Sequence, residues 1–385
     1  MILEQFRYSQ HSGEPQEWYI EPVKFRLINL LVGKNASGKS RTLNVIMGLA
    51  RLLAGDTKLT FKSGDYSLQF REGANLYEYD LMYRDTLVEK ERFVENGKEL
   101  LTRGKGGIGK IYAVKTKDYL DFQTPDAELA AVNRRDSLQH PFFEVLHQWA
   151  KGIRHFQFGS PLGKDHFAVL IKDKQVPFDP RDTGAVIGVF RRGNKEFGSE
   201  FIDAVIADMK TVGYDLEEIG TKPPAAIIIE APAAGEVVGL FTKERDLKGV
   251  TEQVDMSQGM FRALSVIIQL NYSQRSDLPS CILIDDIGEG LDFERSCALI
   301  DLIMHKAQAA QVQLLMSTND RFVMNKVPLE YWSLIQRDGN ICRFFNDENS
   351  HQKFEDFKFT GMNNFDFFAT DFIESNLHEE AGNLR

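Results

Sequence analysis

A glycine-rich loop between an apolar run and an amphipathic stretch constrains this 385-residue chain more than any other feature. Residues 33–40 fit the pattern G-x-x-x-x-G-K-[ST] of a phosphate-binding loop, the Walker A motif. Residues 27–32 predict a buried strand, and residues 42–53 have the apolar spacing of a helix. In this context, backbone N–H groups and a helix N-terminus are expected to surround phosphate oxygens.

Two side chains of the loop have predicted roles of their own. Lys39 is expected to reach the β- and γ-phosphates of ATP, and Ser40 to ligate Mg²⁺. The residues predicted to contact the nucleotide are Gly33, Lys34, Asn35, Ala36, Ser37, Gly38, Lys39, Ser40 and Arg41.

A second segment, residues 280–286, is an apolar run that ends in two carboxylates, as a Walker B strand does. Asp285 would stand at the carboxyl end of the strand and share Mg²⁺ with Ser40. Asp286 would orient the attacking water or act as general base, and Glu289 is the second candidate for that role. A buried strand ending at a polar turn is the alternative interpretation.

A third segment, residues 256–270, has apolar residues at helical spacing, with Ser257 placed to cap the helix. On its own this pattern is also typical of an ordinary core helix. Its position shortly before Asp285 favours a role in nucleotide contact, because nucleotide-clamping ATPases begin a helix with S-x-G there.

Together these segments resemble the ABC-type ATPase heads of the RecF, SMC and OLD group, found among bacterial AAA family ATPases. Residues 257–264 resemble the signature, although Met256 and Gln258 depart from the common Leu-Ser-Gly-Gly form. Residues 284–295 resemble the RecF form of Walker B followed by the D-loop. Residues 313–320 resemble the strand before the switch residue.

The resemblance implies an α/β P-loop NTPase with an ABC-ATPase-like head, an antiparallel β subdomain and an inserted helical lobe, with ATP and Mg²⁺ as cofactors. Signature residues would contact the γ-phosphate of nucleotide bound to an opposing subunit, so the resemblance implies a homo-oligomer, at least a dimer. Asn319 replaces the more common switch histidine and would position the γ-phosphate or water. The remaining residues with implied nucleotide contacts are Ser257, Gly259, Asp292 and the lobe-coupling glutamine Gln157.

One composite domain is expected, in four parts. Short segments in which apolar and polar residues alternate predict an antiparallel meander over 59–101. Turns are predicted at Ser63-Gly64, Glu72-Gly73 and Asn96-Gly97. Helices are predicted within 126–155 and over 197–209, and strands over 153–158 and 226–230. The parts are 1–158 (Walker A lobe with the meander), 159–255 (inserted, partly helical lobe), 256–345 (signature, Walker B, D-loop and switch strand) and 346–385 (C-terminal tail).

Composition predicts a cytoplasmic protein. Its 43% hydrophobic content can supply a large core, yet no apolar run is long enough to span a membrane, and no signal peptide is visible. The three cysteines lack metal-binding spacing, and Cys281 is predicted to be a small core residue in a reducing compartment.

The net charge of −10 disfavours a protein that coats nucleic acid, although a local basic patch is compatible with it. Each basic cluster is also explained by an ordinary solvated loop, and residues 104–110 predict a hairpin turn. The candidate patches are Arg103–Lys110 with Lys115 and Lys117, Arg134–Arg135, and Arg191–Lys195.

The predicted function is an ATP-binding and hydrolysing switch or scaffold that regulates a separate effector protein. Neither long coiled-coil heptads nor an appended nuclease domain is evident in the sequence, which favours an effector on another chain, such as a nuclease or toxin in phage defence. The alternative is a RecF-like, ATP-dependent DNA-binding clamp in DNA repair.

Overall fold

The computed structural model describes residues 1–171, 179, 181–225, 235–276 and 279–373. The strands and helices in chain order are β1 (Ile2–Gln10), β2 (Trp18–Lys24), β3 (Ile28–Val32), α1 (Lys39–Leu53), β4 (Ser63–Glu72), β5 (Asn75–Arg84), β6 (Leu87–Glu95), β7 (Lys98–Arg103), β8 (Ile108–Ala113), β9 (Asp118–Gln123), α2 (Ala130–Asn133), α3 (Glu144–Gly152), β10 (Ile153–Gln157), β11 (Ala168–Ile171), α4 (Val186–Phe197), α5 (Ser199–Thr211), β12 (Leu216–Lys222), β13 (Gly235–Glu244), β14 (Thr251–Glu252), α6 (Gln258–Arg275), β15 (Cys281–Asp285), α7 (Phe293–Ala310), β16 (Gln313–Ser317), α8 (Arg321–Lys326), β17 (Trp332–Asp338), β18 (Ile341–Asn346), α9 (Asp347–Lys358) and α10 (Asn364–Ala369).

The centre of the fold is a run of parallel strands in the order β10-β15-β16-β3-β17. Every residue of β3, β15 and β16 is buried. Alternate residues enter two cores, with Leu30 and Ile284 in one and Leu31 and Leu283 in the other. The continuous apolar runs therefore follow from a sheet that is covered on both faces.

Helix α1 and the antiparallel part of the chain cover one face of these strands, and α6 and α7 cover the other. Through β18, β2 and β1 the same sheet continues into the antiparallel strands β4 to β9. This confirms the predicted meander and the hairpin between β7 and β8. The turn predicted at Ser63-Gly64 is wrong, because both residues begin β4. Glycine is needed at position 64 since a Cβ there would lie 2.8 Å from the rings of Tyr66 and Tyr83.

The described residues within 159–255 contain two helices where one was predicted. Helices α4 and α5 are separated at Gly198, whose φ of 61° ends the first helix. Both helices contribute to the core that contains α6, β3 and β15. The division of the chain into four parts stays a prediction. The predicted strand 226–230 and the end of the C-terminal tail, 374–385, lie outside the described residues.

The helical stretch predicted over 126–155 is shorter in the structure. It contains α2, a 3₁₀ turn at Pro141–Phe143 and α3, and α3 leads directly into β10. The side chain of Asp136 accepts hydrogen bonds from the backbone N–H groups of Leu138 and Gln139, which holds the connection between α2 and α3 in a turn.

Two expectations from composition concern the burial of Cys281 and the presence of membrane-spanning helices. Cys281 is a fully buried free thiol on β15, as predicted. Among the helices of the described residues, none combines the length and the apolar character that crossing a membrane requires.

A buried carboxylate connects the meander to α2. Glu91 on β6 is fully buried and accepts hydrogen bonds from the backbone N–H groups of Ala130 and Ala131 at 2.7 and 2.9 Å. The Tyr79 hydroxyl also donates to it at 3.0 Å, and the buried Arg103 guanidinium pairs with it at 3.4 Å. Burial raises the pKa of Glu91, and the N–H groups and Arg103 act against that rise. The ion pair therefore depends on all of these partners being in place.

We expect Glu91→Ala to lower the free energy of unfolding by about 3–5 kcal/mol, because it removes the buried carboxylate of Arg103 and leaves only the partly exposed Asp126, at 3.8 Å. The matched control is Glu99→Ala, which removes a half-exposed carboxylate from Arg92 and should cost about 0–1 kcal/mol. Urea unfolding followed by circular dichroism measures both. Equal losses in the two variants would contradict the assignment of Glu91 as a structural centre.

Candidate functional site

The predicted Walker A and Walker B segments meet at the carboxyl ends of β3 and β15. Strand β16 lies between these two strands, and all three run in the same direction, so their carboxyl ends share one edge of the sheet. There the Ser40 hydroxyl donates a hydrogen bond of 2.9 Å to Oδ1 of Asp285, across 245 positions of sequence. The structure thus brings together the two residues that the sequence predicted to share a metal ion.

The phosphate loop is closed around the side chain of Lys39. Its ammonium group donates to the carbonyl oxygens of Gly33 at 2.7 Å and Lys34 at 3.2 Å. Burial lowers the pKa of Lys39, while the nearby Asp286 and Asp285 carboxylates act to raise it. A cation held inside a loop of backbone amides, at the start of α1, is suited to bind phosphate oxygens.

Two glycines of the loop are required by close contacts. A Cβ at position 33 would lie 2.6 Å from the carbonyl oxygen of Ile335. Gly38 has a φ of 110°, and a Cβ there would lie 2.9 Å from the Sγ of Cys342. The motif glycines are therefore explained by backbone conformation and by packing against β17 and β18.

The other residues of the phosphate loop differ from one another in solvent exposure. Residues 34–36 are exposed, and Lys34 forms a 2.9 Å ion pair with Asp371 after α10. Ser37 is buried. Arg41 donates to Oε1 of Gln10 at 2.8 Å.

Asp286 stands directly after β15 in a constrained conformation. Its φ is 55°, a left-handed value that aspartate tolerates better than most residues. Burial raises the pKa of Asp286, and the charges of Asp285 and Glu289 raise it further, against the lowering effect of Lys39 and Asn319. A carboxylate with a raised pKa and a strained backbone is typical of functional sites.

Asn319, the predicted switch residue, contacts that carboxylate. Its Nδ2 donates to Oδ1 of Asp286 at 3.0 Å. The structure therefore brings these two predicted catalytic residues together, although they come from different strands.

Ser317 is a site residue that the sequence analysis missed. Its hydroxyl donates to Oδ1 of Asp285 at 2.5 Å and accepts from the backbone N–H of Asp286 at 2.9 Å. The available signal was its place at the end of the apolar run 313–317, because parallel strands present their carboxyl ends together.

Gln157 and Glu289 belong to the segments at the ends of β10 and β15. Gln157 is opposite Asp285 in the register of β10 and β15, and its Nε2 donates to Oδ1 of Asn44 at 3.3 Å. Glu289 lies in the loop after Asp286, close enough to influence the pKa of that residue.

The predicted signature and D-loop each begin a helix. Ser257 caps α6, and its hydroxyl accepts from the N–H of Met260 at 3.1 Å, which confirms the predicted cap. Asp292 caps α7 by accepting from the N–H of Arg295 at 3.0 Å. Ser257 is exposed, whereas Gly259 is buried against the D-loop. A Cβ at Gly259 would lie 2.3 Å from the carbonyl oxygen of Gly290.

Arg262 connects these segments and was also missed. This buried residue of α6 donates from Nη1 to the carbonyl oxygen of Glu289 at 2.8 Å. Nε and Nη2 reach the carbonyl oxygen of Ser160, after Gln157, at 3.4 Å. One guanidinium thus joins α6 to the loops that follow β15 and β10. No sequence pattern distinguished it from an ordinary helix arginine.

The side chains at the Ser40–Asp285 contact fit a magnesium ion. A hydroxyl and a carboxylate oxygen are hard ligands of the kind that Mg²⁺ takes, usually together with waters and substrate phosphates.

Most arginines of the candidate basic patches have partners within the protein. Arg103 is buried against Glu91, and Arg135 pairs with Glu144 at 3.1 Å. Arg192 pairs with Glu196 at 2.7 Å. These contacts neutralise part of each predicted patch.

Comparisons with known proteins address the fold. No protein-family model matches the sequence, and no curated protein matches it. Among solved structures, the chain is similar to an Smc head bound to the C-winged helix domain of ScpA, with a TM-score of 0.51 and 12% identity over 90% of this chain and 97% of that chain.

Two further SMC heads align less well. The head from Thermotoga maritima has a TM-score of 0.45 at 12% identity, over 90% of this chain and 99% of that one. The head from Pyrococcus furiosus, with an extended coiled coil and bound to the C-terminal domain of ScpA, has a TM-score of 0.48 at 11% identity, over 92% and 99%. The likeness to the first head supports the predicted fold: an α/β P-loop fold like the ABC-type ATPase head of SMC proteins.

Arg262→Ala should loosen the loops that this residue joins. A hydrogen bond from a charged donor contributes about 1.5–3 kcal/mol, so amides in 286–291 should exchange with deuterium about ten- to a hundredfold faster. Arg275→Ala is the matched control, because it removes an arginine from the other end of α6 that contacts Asn271 and Glu200. Unchanged exchange in 286–291 of the Arg262 variant would show that the guanidinium does not hold this loop.

Proposed function

We propose that this protein is an ABC-type ATPase switch that binds and hydrolyses ATP with Mg²⁺ at a site shared between two copies of the chain. In this proposal, the nucleotide state of the pair regulates a separate effector protein.

The observation that carries the proposal is the contact between Ser40 and Asp285 beside the buried ammonium of Lys39. A phosphate loop alone would be consistent with many phosphate ligands. A loop hydroxyl and a strand-end carboxylate in contact are the pair that holds the metal in P-loop NTPases. Magnesium bound there would offset the charge of the triphosphate.

The remaining roles follow from the charges and hydrogen bonds of the site. Lys39 and the loop amides would bind the β- and γ-phosphates. Asn319 fixes Oδ1 of Asp286, so we assign Oδ2 to orient the attacking water and accept its proton. Ser317 would hold Asp285 and the backbone of Asp286 in place. Glu289 is the reserve candidate for the base.

The proposal of a shared site depends on the start of α6. Ser257 is exposed at a helix N-terminus, where a hydroxyl and free N–H groups can face an anion. Gly259 and Arg262 hold this end of the helix against the D-loop of the same chain. We therefore propose that the exposed Ser257 faces the nucleotide of a second copy, related by two-fold symmetry, and that the buried Gly259 holds the helix start in place for that contact.

The proposed effector is a nuclease or toxin of a phage-defence system. This part rests on the resemblance to OLD-like ATPases. The Smc head with a TM-score of 0.51 is bound to a separate protein, which supports a partner for this chain as well. A gene for such an enzyme beside the gene for this chain, and co-purification of the two products, would support the pairing.

The DNA-clamp alternative receives less support. Within the described residues, several arginines of the candidate basic patches are paired with carboxylates, and the net charge is −10. An ATP-dependent affinity for duplex DNA that falls steeply with salt would favour the alternative over the effector scaffold.

Lys39→Ala should abolish ATP binding, because the triphosphate loses its principal cation. Asp286→Asn should retain binding and lose most turnover, since an amide cannot accept the proton of water. Calorimetry measures binding, and phosphate release measures turnover. Hydrolysis at the parental rate in Asp286→Asn would rule out Asp286 as the base, and Glu289→Gln would be tested next.

Asn319→Ala should lower hydrolysis about tenfold or more, because it frees a carboxylate oxygen that a hydrogen bond of roughly 1.5–3 kcal/mol now holds. Asn319→His should be tolerated or activating, since histidine can donate the same bond. Steady-state phosphate release at saturating ATP is the measurement. Unchanged activity of Asn319→Ala would make the neighbouring Asp320 the residue to examine.

A mixture of two inactive variants should regain part of the activity. Ser257→Arg blocks the signature and Lys39→Ala blocks the phosphate loop, so a mixed pair contains one intact site. We expect each variant to be inactive alone and the mixture to hydrolyse ATP, with a rate that depends on protein concentration.

Two results would contradict the shared site. One is failure of the two variants to complement although each is folded and oligomeric. The other is hydrolysis by a strictly monomeric wild-type protein at a rate per chain that does not change with concentration.

A further inference from the structure

A cavity of about 500 Å³ lies between α1 and the strands β1, β4 and β5. Along α1 it extends from Arg41 to Leu52, a distance of about 16 Å at 1.5 Å per residue. Its volume is within the range of small-molecule sites, about 300–1,000 Å³. None of the roles assigned above uses its far end.

Gly48 forms part of the cavity wall in the middle of α1. Glycine in a helix interior costs roughly 0.5–1 kcal/mol relative to alanine. Neither a positive φ nor a close contact explains it here, because a Cβ at this position would have no heavy atom within 4 Å. The glycine therefore leaves the helix backbone open to the cavity without serving the packing of the protein itself.

The opposite wall is aromatic. The rings of Tyr8 and Tyr66 are 4.7 Å apart, those of Tyr66 and Tyr83 are 6.4 Å apart, and all three side chains are almost fully buried. Burial raises the pKa of each of these tyrosines, and Tyr66 shares side-chain hydrogen bonds with Tyr8 and Tyr83. Phe61 lines the cavity with its side chain 61% exposed. Because the three tyrosines are buried, Phe61 is the aromatic surface of the lining that a planar ring can contact.

The charge of the lining is positive. Arg41 and Arg51 both contribute to it, and no aspartate or glutamate of the described chain does. Within the same described residues, neither guanidinium has a carboxylate within 4.0 Å. Two cations without a carboxylate partner favour an anionic group on the ligand.

We propose that this cavity binds a second small molecule, a planar aromatic ring carrying a phosphate, of the class of a nucleoside monophosphate. The ring would lie in the cavity against Phe61 and the open backbone at Gly48, and the phosphate near Arg51. Gly48 is about 12 Å along α1 from Ser40, and Arg41 marks the end of the cavity nearer the phosphate loop. Arg41 lines the cavity and directly follows the phosphate loop, so this residue would link binding in the cavity to the loop.

The test is a calorimetric titration of AMP into wild-type protein saturated with Mg²⁺ and the non-hydrolysable analogue AMP-PNP. We expect one AMP per chain. Gly48→Leu fills the cavity from α1 and should weaken AMP binding about tenfold or more, because an overpacked site costs about 1–3 kcal/mol. Arg51→Gln should weaken it several-fold.

The matched control is Gly249→Leu, at an exposed loop glycine that also has an ordinary φ and no atom within 4 Å of a Cβ. It should bind AMP as the wild type does. Leucine favours the helix more than glycine does, so a melting temperature of Gly48→Leu at or above that of the wild type excludes misfolding as the cause of lost binding.

Three results would overturn the inference. They are absence of saturable AMP binding, displacement of AMP by AMP-PNP mole for mole, and equal affinity in the two leucine variants. Displacement would assign the cavity to the base of the nucleotide at the phosphate loop. Failure to bind AMP-PNP would count against the proposed function alone. A titration of AMP without the analogue would then show whether the cavity binds AMP.

Discussion

The parallel pairing of β3, β16 and β15 is the constraint on which the rest of the structure depends. Because the three strands run together, the phosphate loop, Asp285 and Ser317 meet at one edge of the sheet. The same strands are buried on both faces, so α1 and the meander pack on one side and α4 to α7 on the other. The cores that stabilise the fold are thus the cores that position the site.

Around this edge, local conformations are fixed by contacts between distant segments. Gly33 and Gly38 are closed in by β17 and β18, and the left-handed Asp286 is held by Ser317 and Asn319. Arg262, on α6, joins the two loops that follow β10 and β15. The loop after Asp286 is thus held against the start of α6, where Ser257 is exposed and in our proposal faces the second copy.

Some structural elements of the molecule could be predicted from the sequence, and others could not. The Walker A loop with its strand and helix, the strand ending at Asp285, the cap at Ser257 and the meander were predictable, because each depends on glycine conformation, apolar period or capping within a few residues. Helix α4 was missed, and the strand start at Ser63-Gly64 was predicted as a turn, since an isolated glycine gives an ambiguous local signal.

By itself, the sequence determined the elements and the chemistry of single residues: a phosphate loop, strand-end carboxylates and a capped helix. Only the tertiary structure decided which of them touch. The 2.9 Å contact of Ser40 with Asp285, the hydroxyl of Ser317 and the guanidinium of Arg262 depend on strand order and helix packing. Strand order and packing are set by burial summed over the whole chain, and a short window of sequence does not contain that information.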